Sequence, residues 1–299
     1  MAHGTSHQSD WPEGVRLLLG VGAQKAGTTW IYHYLRNHPA CRSAPMKELH
    51  YFNEIADLPN VGKRKRAQRE KALAQSGRNP KLLQGIRRLS AICKNPDDNH
   101  HSYVDLLVGG LRPGQVAMDI TPCYSLLDAA SFRQMADLGD TRFLFLIREP
   151  VSRLWSALRM KTAKTNADPS CFETDCQQGL DRVLEQGRSE IVARSDYAGT
   201  LARLEEAVPS SRRLVMFYEN LFTQEAADRI CDFLEIARYP LGEPEVVNEG
   251  VRAKMRPDQV ETLVARLRPQ YEAVRAIFGD EIPQEWHARF AARDPRAVA

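Results

Sequence analysis

Long apolar segments are scarce in this sequence of 299 residues. No stretch approaches the ~18 consecutive apolar residues that a membrane-spanning helix needs, and the apolar run at residues 143–147 fits a short buried strand. Residues 1–10 are polar and contain no apolar core of a secretory signal peptide. We therefore expect a cytoplasmic protein with a disordered tail at residues 1–14.

Cysteine is also sparse, with six residues scattered along a chain that is too large to need disulfide staples. Only Cys171 and Cys176 are close in sequence, and their spacing matches no zinc-binding pattern. We interpret all six as reduced thiols, with a local Cys171–Cys176 disulfide as the alternative. No metal site is predicted.

A large excess of charge is missing as well, since the formal net charge is only +3. That value is too small to imply a polyanionic partner for the whole surface. The exception is the stretch of residues 63–94, which contains eleven Lys or Arg residues and one acidic residue, Glu70. Two interpretations of this basic stretch stay open. It is a solvated helix face, or it attracts an anionic acceptor or membrane surface.

Four short apolar runs predict buried strands, and segments of helical periodicity separate them. The runs are residues 16–21, 116–120, 142–147 and 213–217. Continuous apolar strands that alternate with helices indicate a parallel sheet covered on both faces. The predicted fold is therefore an α/β, P-loop-like three-layer sandwich with a central parallel sheet flanked by helices. A single domain at residues 15–299 would carry a helical insertion at about residues 54–114.

The loop at residues 24–30, with the sequence QKAGTTW, follows the first predicted strand and opens a helix. The first turn of a helix presents unpaired N–H groups and positive partial charge, which suit a phosphate or sulfate. In ATP-binding P-loops a lysine directly follows the last glycine. Here Thr28 follows Gly27, and Lys25 lies two residues before Gly27. A P-loop kinase of a small molecule is the second hypothesis, and this order of residues argues against it.

Another phosphate-binding pattern begins at Arg148, at the end of a predicted strand. A guanidinium can bind a phosphate through two parallel hydrogen bonds. Ser156 comes eight residues later, which is about two helical turns, so both side chains can face one side of the helix start.

These two patterns together resemble the 5′-phosphosulfate loop and the 3′-phosphate motif of sulfotransferases that use 3′-phosphoadenosine 5′-phosphosulfate (PAPS). The resemblance extends over residues 17–286 and implies transfer of a sulfuryl group, with 3′-phosphoadenosine 5′-phosphate (PAP) as product. Residues 248–256 resemble the basic loop that closes over the 3′-phosphate in this family. The implied donor-binding residues are Lys25, Ala26, Gly27, Thr28, Thr29, Trp30, Arg148, Ser156, Arg252 and Lys254.

The segment at residues 47–52, with the sequence KELHYF, resembles one found in heparan sulfate and related carbohydrate sulfotransferases. That resemblance implies that Glu48 is the general base. It also implies that His50 supports Glu48 or contacts the acceptor, and that Lys47, with Lys25, neutralises developing charge. The alternative base is His50, because a histidine has this role in cytosolic aryl and steroid sulfotransferases.

Heparan-type enzymes carry a lysine at the position that corresponds to the residue before Thr121. In this chain that residue is Ile120, and Asp119 precedes it. Asp119 is therefore a candidate for contact with the acceptor. We predict no acceptor more narrowly than a carbohydrate, a lipid, or a small alcohol or phenol. Either core packing or an apolar acceptor slot explains the aromatic residues Tyr32, Tyr34, Tyr51, Phe52 and Tyr124. A third hypothesis is a nucleic-acid-binding protein that uses the basic stretch, but we favour an enzyme without a nucleic acid partner.

Overall fold

The computed structural model describes residues 11–58, 62–165, 168–187, 189–242 and 250–291. Five parallel strands form one sheet in the order β2-β3-β1-β4-β5. The strands are β1 (Arg16–Gly22), β2 (Cys41–Ser43), β3 (Val116–Ile120), β4 (Thr141–Ile147) and β5 (Arg213–Phe217). The predicted parallel α/β sheet is confirmed, with strands close to the predicted positions. The short strand β2 is an addition that no apolar run signals.

Helices separate and follow the strands. They are α1 (Thr28–Asn37), α2 (Tyr51–Ile55), α3 (Gly62–Ser76), α4 (Pro80–Lys94), α5 (His101–Val108), α6 (Ala129–Ala136), α7 (Pro150–Thr165), α8 (Phe172–Glu185), α9 (Glu190–Ala193), α10 (Tyr197–Ala207), α11 (Gln224–Phe233), α12 (Pro257–Phe278) and α13 (Gln284–Ala291). Local signals explain several ends. α1 stops before Pro39, which forces the preceding residue out of the α region. Asn79 caps α4 by accepting from the backbone of Leu82, and Pro80 occupies the first turn.

The sheet is covered on both faces. Consecutive residues of β1 point to opposite faces, yet Leu17, Leu18 and Leu19 are all fully buried. The same is true of β3 and of most of β4. On the outside, α12 buries a single stripe that includes Leu263, Leu267 and Val274.

The basic stretch folds as the helices α3 and α4, which are interrupted at residues 77–79. The ordered chain begins before residue 15, because Trp11 packs against the core and donates to the carbonyl of Val15 at 2.8 Å. The predicted boundary of the tail at residue 14 is thus too late, and residues 1–10 lie outside the described part. None of the described helices is long and apolar enough to cross a membrane.

The sheet's polarity positions the candidate site. In a parallel sheet all strands end at one edge, and ligands bind in the loops beyond that edge. These loops begin at residues 23, 44, 121, 148 and 218. The loops that follow β1 and β4 therefore lie on the same side of the molecule, and β2 brings residues 47–50 to that side as well.

Candidate active site

The loop between β1 and α1 has a backbone that only particular residues adopt. Lys25 and Gly27 have φ angles of 71° and 91°, and a Cβ added at Gly27 would lie 2.4 Å from Cδ2 of Leu221. Among the described residues no side chain caps α1, so the N–H groups of its first turn are available to an anion. The side chain of Ala26 is fully buried, so only its backbone can contact a ligand.

Arg148, which follows β4, lies against this loop. Its guanidinium donates to the carbonyl of Lys25 at 3.2 Å and stacks over the ring of Tyr218, 4.1 Å from the ring centroid. The Tyr197 hydroxyl in turn donates to the Arg148 carbonyl at 2.8 Å. The two predicted phosphate-binding motifs, which are 123 residues apart in sequence, therefore meet in the structure.

Cations concentrate around Lys25. Burial lowers the pKa of Lys25, and the charges of Arg148, Arg159, Lys164 and Lys47 lower it further. Positive charges held this close repel one another, so an anion bound among them would be strongly stabilised. The site is thus electrostatically suited to a ligand with more than one phosphate or sulfate group.

Ser156 lies on α7, which begins two residues after Arg148. Glu149 caps this helix, because its carboxylate accepts hydrogen bonds from the backbone N–H groups of Val151 at 3.1 Å and Ser152 at 2.8 Å. Ser156 is mostly buried. Arg159 follows it by three residues and therefore shares its face of the helix.

The segment at residues 250–256 packs against α7 and α8. Trp155 donates to the carbonyl of Ala253 at 3.0 Å, and Arg159 donates to the carbonyl of Val251 at 3.1 Å. This predicted basic loop therefore lies beside the helix that carries Ser156. The side chains of Arg252 and Lys254 are exposed. Residues 248 and 249 of the predicted loop lie outside the described residues.

Lys47 and Glu48 follow β2 and contact the first loop. Lys47 Nζ donates to Thr29 Oγ1 at 2.9 Å and lies 3.4 Å from Glu48 Oε1, while Lys65 Nζ of α3 lies 2.6 Å from Glu48 Oε2. Burial by itself raises the pKa of Glu48. The neighbouring His50 and the charges of Lys47 and Lys65 outweigh that effect and hold the pKa well below its usual range. Glu48 is therefore an ionised carboxylate beside the predicted phosphate-binding loop.

His50 is fully buried, and its neighbours fix its orientation. Asn53 Nδ2 donates to the carbonyl of Cys123 at 3.0 Å, so Asn53 Oδ1 faces His50 Nδ1 at 3.2 Å and accepts a hydrogen bond from its N–H. His50 Nε2 then points toward Glu48 Oε2 at 3.7 Å, an ion-pair distance, and makes no hydrogen bond to a described residue. Burial lowers the pKa of His50, but the nearby Cys123 and Glu48 favour the imidazolium and raise the pKa to about 9. His50 is therefore protonated at neutral pH.

Cys123 lies behind His50 and is held by a second cation. Arg194 Nη1 lies 2.9 Å from Cys123 Sγ. Burial raises the pKa of the thiol, but His50 and Arg194 stabilise the thiolate and bring the pKa below its ordinary value.

Asp119 does not reach the site, and its predicted contact with the acceptor is wrong. The carboxylate is buried and accepts hydrogen bonds from the hydroxyls of Thr121 at 2.6 Å, Tyr124 at 2.7 Å and Tyr103 at 2.9 Å. These three donors occupy the carboxylate, so Asp119 acts as a buried anchor for the strand end.

The structure also bears on two alternatives from the sequence, an aromatic acceptor slot and a Cys171–Cys176 disulfide. Tyr51, Phe52 and Tyr124 are almost completely buried in the core, which excludes an acceptor slot lined by them. Cys171 and Cys176 are both free thiols, so the alternative of a disulfide between them is wrong.

Sequence reasoning missed four residues that belong to this arrangement: Asn53, Lys65, Arg159 and Lys164. The spacing of His50 and Asn53, three residues apart across a helix start, could have indicated a contact. Lys65 is one of eleven similar residues in the basic stretch, so nothing in the sequence marks it.

A model of the sulfotransferase family matches residues 18–240. A solved sulfotransferase from Alicyclobacillus acidocaldarius is similar at 20% identity and a TM-score of 0.59, with 87% of this chain and 94% of that chain covered. A sulfotransferase domain from the curacin biosynthetic pathway shares 19% identity at a TM-score of 0.49, covering 78% of this chain and 77% of that one. None of the curated proteins compared with the chain matches it. The structure from Alicyclobacillus acidocaldarius supports the fold. Because the family model matches most of the sequence, this chain belongs to the sulfotransferase family.

Proposed function

We propose that this protein transfers the sulfuryl group of PAPS to a hydroxyl or amine of an acceptor, with Glu48 as the general base. The observation that carries the proposal is the contact between Arg148 and the Lys25 carbonyl. It joins two separate anion-binding motifs into one site. A donor with phosphates at both the 3′ and 5′ positions needs two such motifs, whereas ATP has no 3′-phosphate.

The described residues fit such a donor. The uncapped N-terminus of α1 and Lys25 would hold the 5′-phosphosulfate, and Arg148 and Ser156 would hold the 3′-phosphate. Lys25 and the four cations around it supply the matching charge. When bound, the donor supplies an activated sulfuryl group attached to a phosphate leaving group. Arg252 and Lys254 would close over the 3′-phosphate from the neighbouring segment.

The chain's own residues then have distinct tasks. Glu48 accepts the proton of the acceptor hydroxyl as the new O–S bond forms and the bond between sulfur and the phosphate oxygen breaks. A positioned base typically contributes about 10²–10⁴-fold to the rate. Lys25 and Lys47 stabilise the charge that develops on the transferred and leaving oxygens. His50, protonated at neutral pH, cannot accept a proton there and instead orients and balances Glu48.

The competing functions lack a supporting observation. A P-loop kinase requires a lysine directly after the last glycine of the loop, and Thr28 occupies that position. A nucleic-acid-binding protein would need the charge of the basic stretch. However, Lys65, Arg66, Arg87 and Arg88 each pair with a carboxylate. The likeness to heparan sulfate enzymes stays a prediction.

A transfer assay tests the proposal. The protein would be incubated with PAPS and a panel of sugars, phenols, lipids and small alcohols, and PAP would be measured by chromatography. We expect acceptor-dependent release of PAP that is insensitive to chelators and that falls about 10²–10⁴-fold in Glu48→Gln. The matched control is Glu70→Gln, which removes a half-buried carboxylate of α3 that pairs with Arg87 outside the site. Glu48→Gln with unchanged turnover would refute the assigned base, and turnover of ATP instead of PAPS would refute the donor.

A further inference from the structure

A groove of about 560 Å³ opens beside the pair of Lys47 and Glu48. Four of the residues that line it are cations, and no carboxylate is among the described residues that line it. The cations are Arg36, Lys47, Lys65 and Arg69; Tyr32 and Leu82 add apolar surface. This composition is unusual for the surface of a chain that carries nearly equal numbers of acidic and basic residues, 38 and 41.

The four cations fall into two pairs. Lys47 and Lys65 both contact the carboxylate of Glu48, which offsets much of their charge. Arg36 and Arg69 are exposed, and neither has a carboxylate partner among the described residues. The positive charge that remains uncompensated in the groove therefore belongs to the two arginines.

Helix geometry places the two arginines away from the reacting centre. Arg36 follows Thr29 by seven residues on α1, which corresponds to about 10 Å along the helix axis, and Thr29 contacts Lys47. Arg69 follows Lys65 by one turn of α3, about 5–6 Å between Cβ atoms. The groove thus has at one end the two lysines that contact the ionised Glu48, and two guanidinium groups further along, with apolar surface in the lining.

We propose that the acceptor is a small molecule that carries an acidic group, a carboxylate or a phosphate, at some distance from the hydroxyl that is sulfated. This inference rests on the proposed sulfotransferase function and adds the acceptor class. Guanidinium groups bind carboxylates and phosphates through paired, charge-assisted hydrogen bonds. An anionic group at Arg36 and Arg69 would direct the distal hydroxyl of the same molecule toward Glu48.

The cations also make such an acceptor compatible with the site. Glu48 is itself ionised, and an anionic acceptor would be repelled by it in the absence of compensating charge. Lys47 and Lys65 line the groove and contact the carboxylate, so their charges offset this repulsion. A neutral acceptor gains nothing from the two arginines, so the groove discriminates in favour of the charged molecule.

Pairs of probes in which only one member carries the anionic group test this inference. The first pair is 4-hydroxyphenylacetate and 4-hydroxyphenylacetamide, and the second is glucose 6-phosphate and glucose. Binding to the PAP-loaded protein would be measured by calorimetry, so that the test does not depend on turnover. Comparison of the two pairs shows whether a carboxylate or a phosphate is the preferred group.

We expect the charged member of at least one pair to bind about tenfold more tightly or better. Arg36→Gln and Arg69→Gln should each reduce this advantage, whereas Lys71→Gln should retain it. Lys71 is exposed, lies on the opposite face of α3 and provides the same change of charge. Equal affinities within both pairs, no binding of any probe to PAP-loaded protein, or equal losses in Lys71→Gln would overturn the acceptor class. Failure of PAP itself to bind would instead refute the proposed function.

Discussion

The protonation state of His50 leads to a prediction that separates the two candidate bases. Its pKa is raised to about 9, because Glu48 and Cys123 favour the imidazolium against the effect of burial. His50 therefore keeps its proton up to pH of about 9, while Glu48 is already ionised far below neutrality. If Glu48 is the base and His50 its charged support, kcat/KM should be level between pH 6 and 8 and fall above about 9.

The size of the effect follows from the titration of one proton. At one pH unit above its pKa only about a tenth of His50 is protonated, so kcat/KM should fall about tenfold by pH 10. If His50 were the base, the active form at pH 7 would be the neutral imidazole, about one part in a hundred. The value of kcat/KM would then rise about 50-fold between pH 7 and pH 9, where half of the imidazole is neutral. The two mechanisms thus predict changes of opposite sign.

The assay is the initial rate of PAP release across pH 5–10.5 at limiting acceptor. Lys25 and Lys47, whose pKa values are also lowered, could add their own basic limbs. His50→Gln removes this uncertainty, since glutamine keeps an N–H near the position of Nε2 but does not titrate. We expect this variant to lose the fall near pH 9, and His33→Gln, an exposed histidine of α1, to keep it. A rise of kcat/KM through pH 9 in the wild type would refute the assignment of Glu48.

Three further predictions concern the packing around the site. Gly27→Ala should lower the free energy of unfolding by about 2 kcal/mol or more, because its φ is 91° and its Cβ would meet Leu221 at 2.4 Å; urea unfolding measures this. Asn53→Ala should lower the free energy of unfolding by about 1–3 kcal/mol, because it leaves the buried Nδ1 of His50 without an acceptor. It should also shift the basic limb of the pH profile of kcat/KM. Titration of the denatured protein with a thiol reagent, without reductant, should count six thiols.

Each of these has its own check. Gly77 has a similar φ of 62°, but a Cβ added there would meet open space. Gly77→Ala should therefore lower the free energy of unfolding by only about 1 kcal/mol. Equal losses at both glycines would show that contact with Leu221 is unimportant. An unchanged pH profile in Asn53→Ala would mean that Asn53 does not orient His50. A count of four thiols would contradict the free state of Cys171 and Cys176.

Much of the fold could be predicted because buried parallel strands are continuous apolar runs. Residues 116–120 and 213–217 match β3 and β5 without a shift. The strand β2 could not be predicted, because Cys41–Ser43 is three residues long and only partly buried. Its place at the edge of the sheet depends on pairing with β3, which is a tertiary contact.

The candidate site was predictable where a backbone motif determines it and unpredictable where long side chains assemble it. The loop at Lys25 and the end of β4 at Arg148 are local patterns, and the sheet brings them together. Lys65 contacts Glu48 but lies 17 residues later in the sequence, on a helix that contains several similar lysines and arginines. The role of Asp119 could not be predicted, because it depends on hydrogen bonds from two buried tyrosine hydroxyls. Tyr103 lies 16 residues away in sequence, and nothing in the sequence shows that the side chain of Tyr124 points toward Asp119.

The central claim is that the site holds a nucleotide with both a 3′- and a 5′-phosphate. Calorimetric titration of the wild-type protein with PAP and with AMP, which lacks the 3′-phosphate, tests it most directly. The account predicts that PAP binds in the micromolar range and at least about tenfold more tightly than AMP. It also predicts that Arg148→Gln removes most of that difference. Absence of PAP binding at high micromolar concentrations, or equal affinity for PAP and AMP, would contradict it.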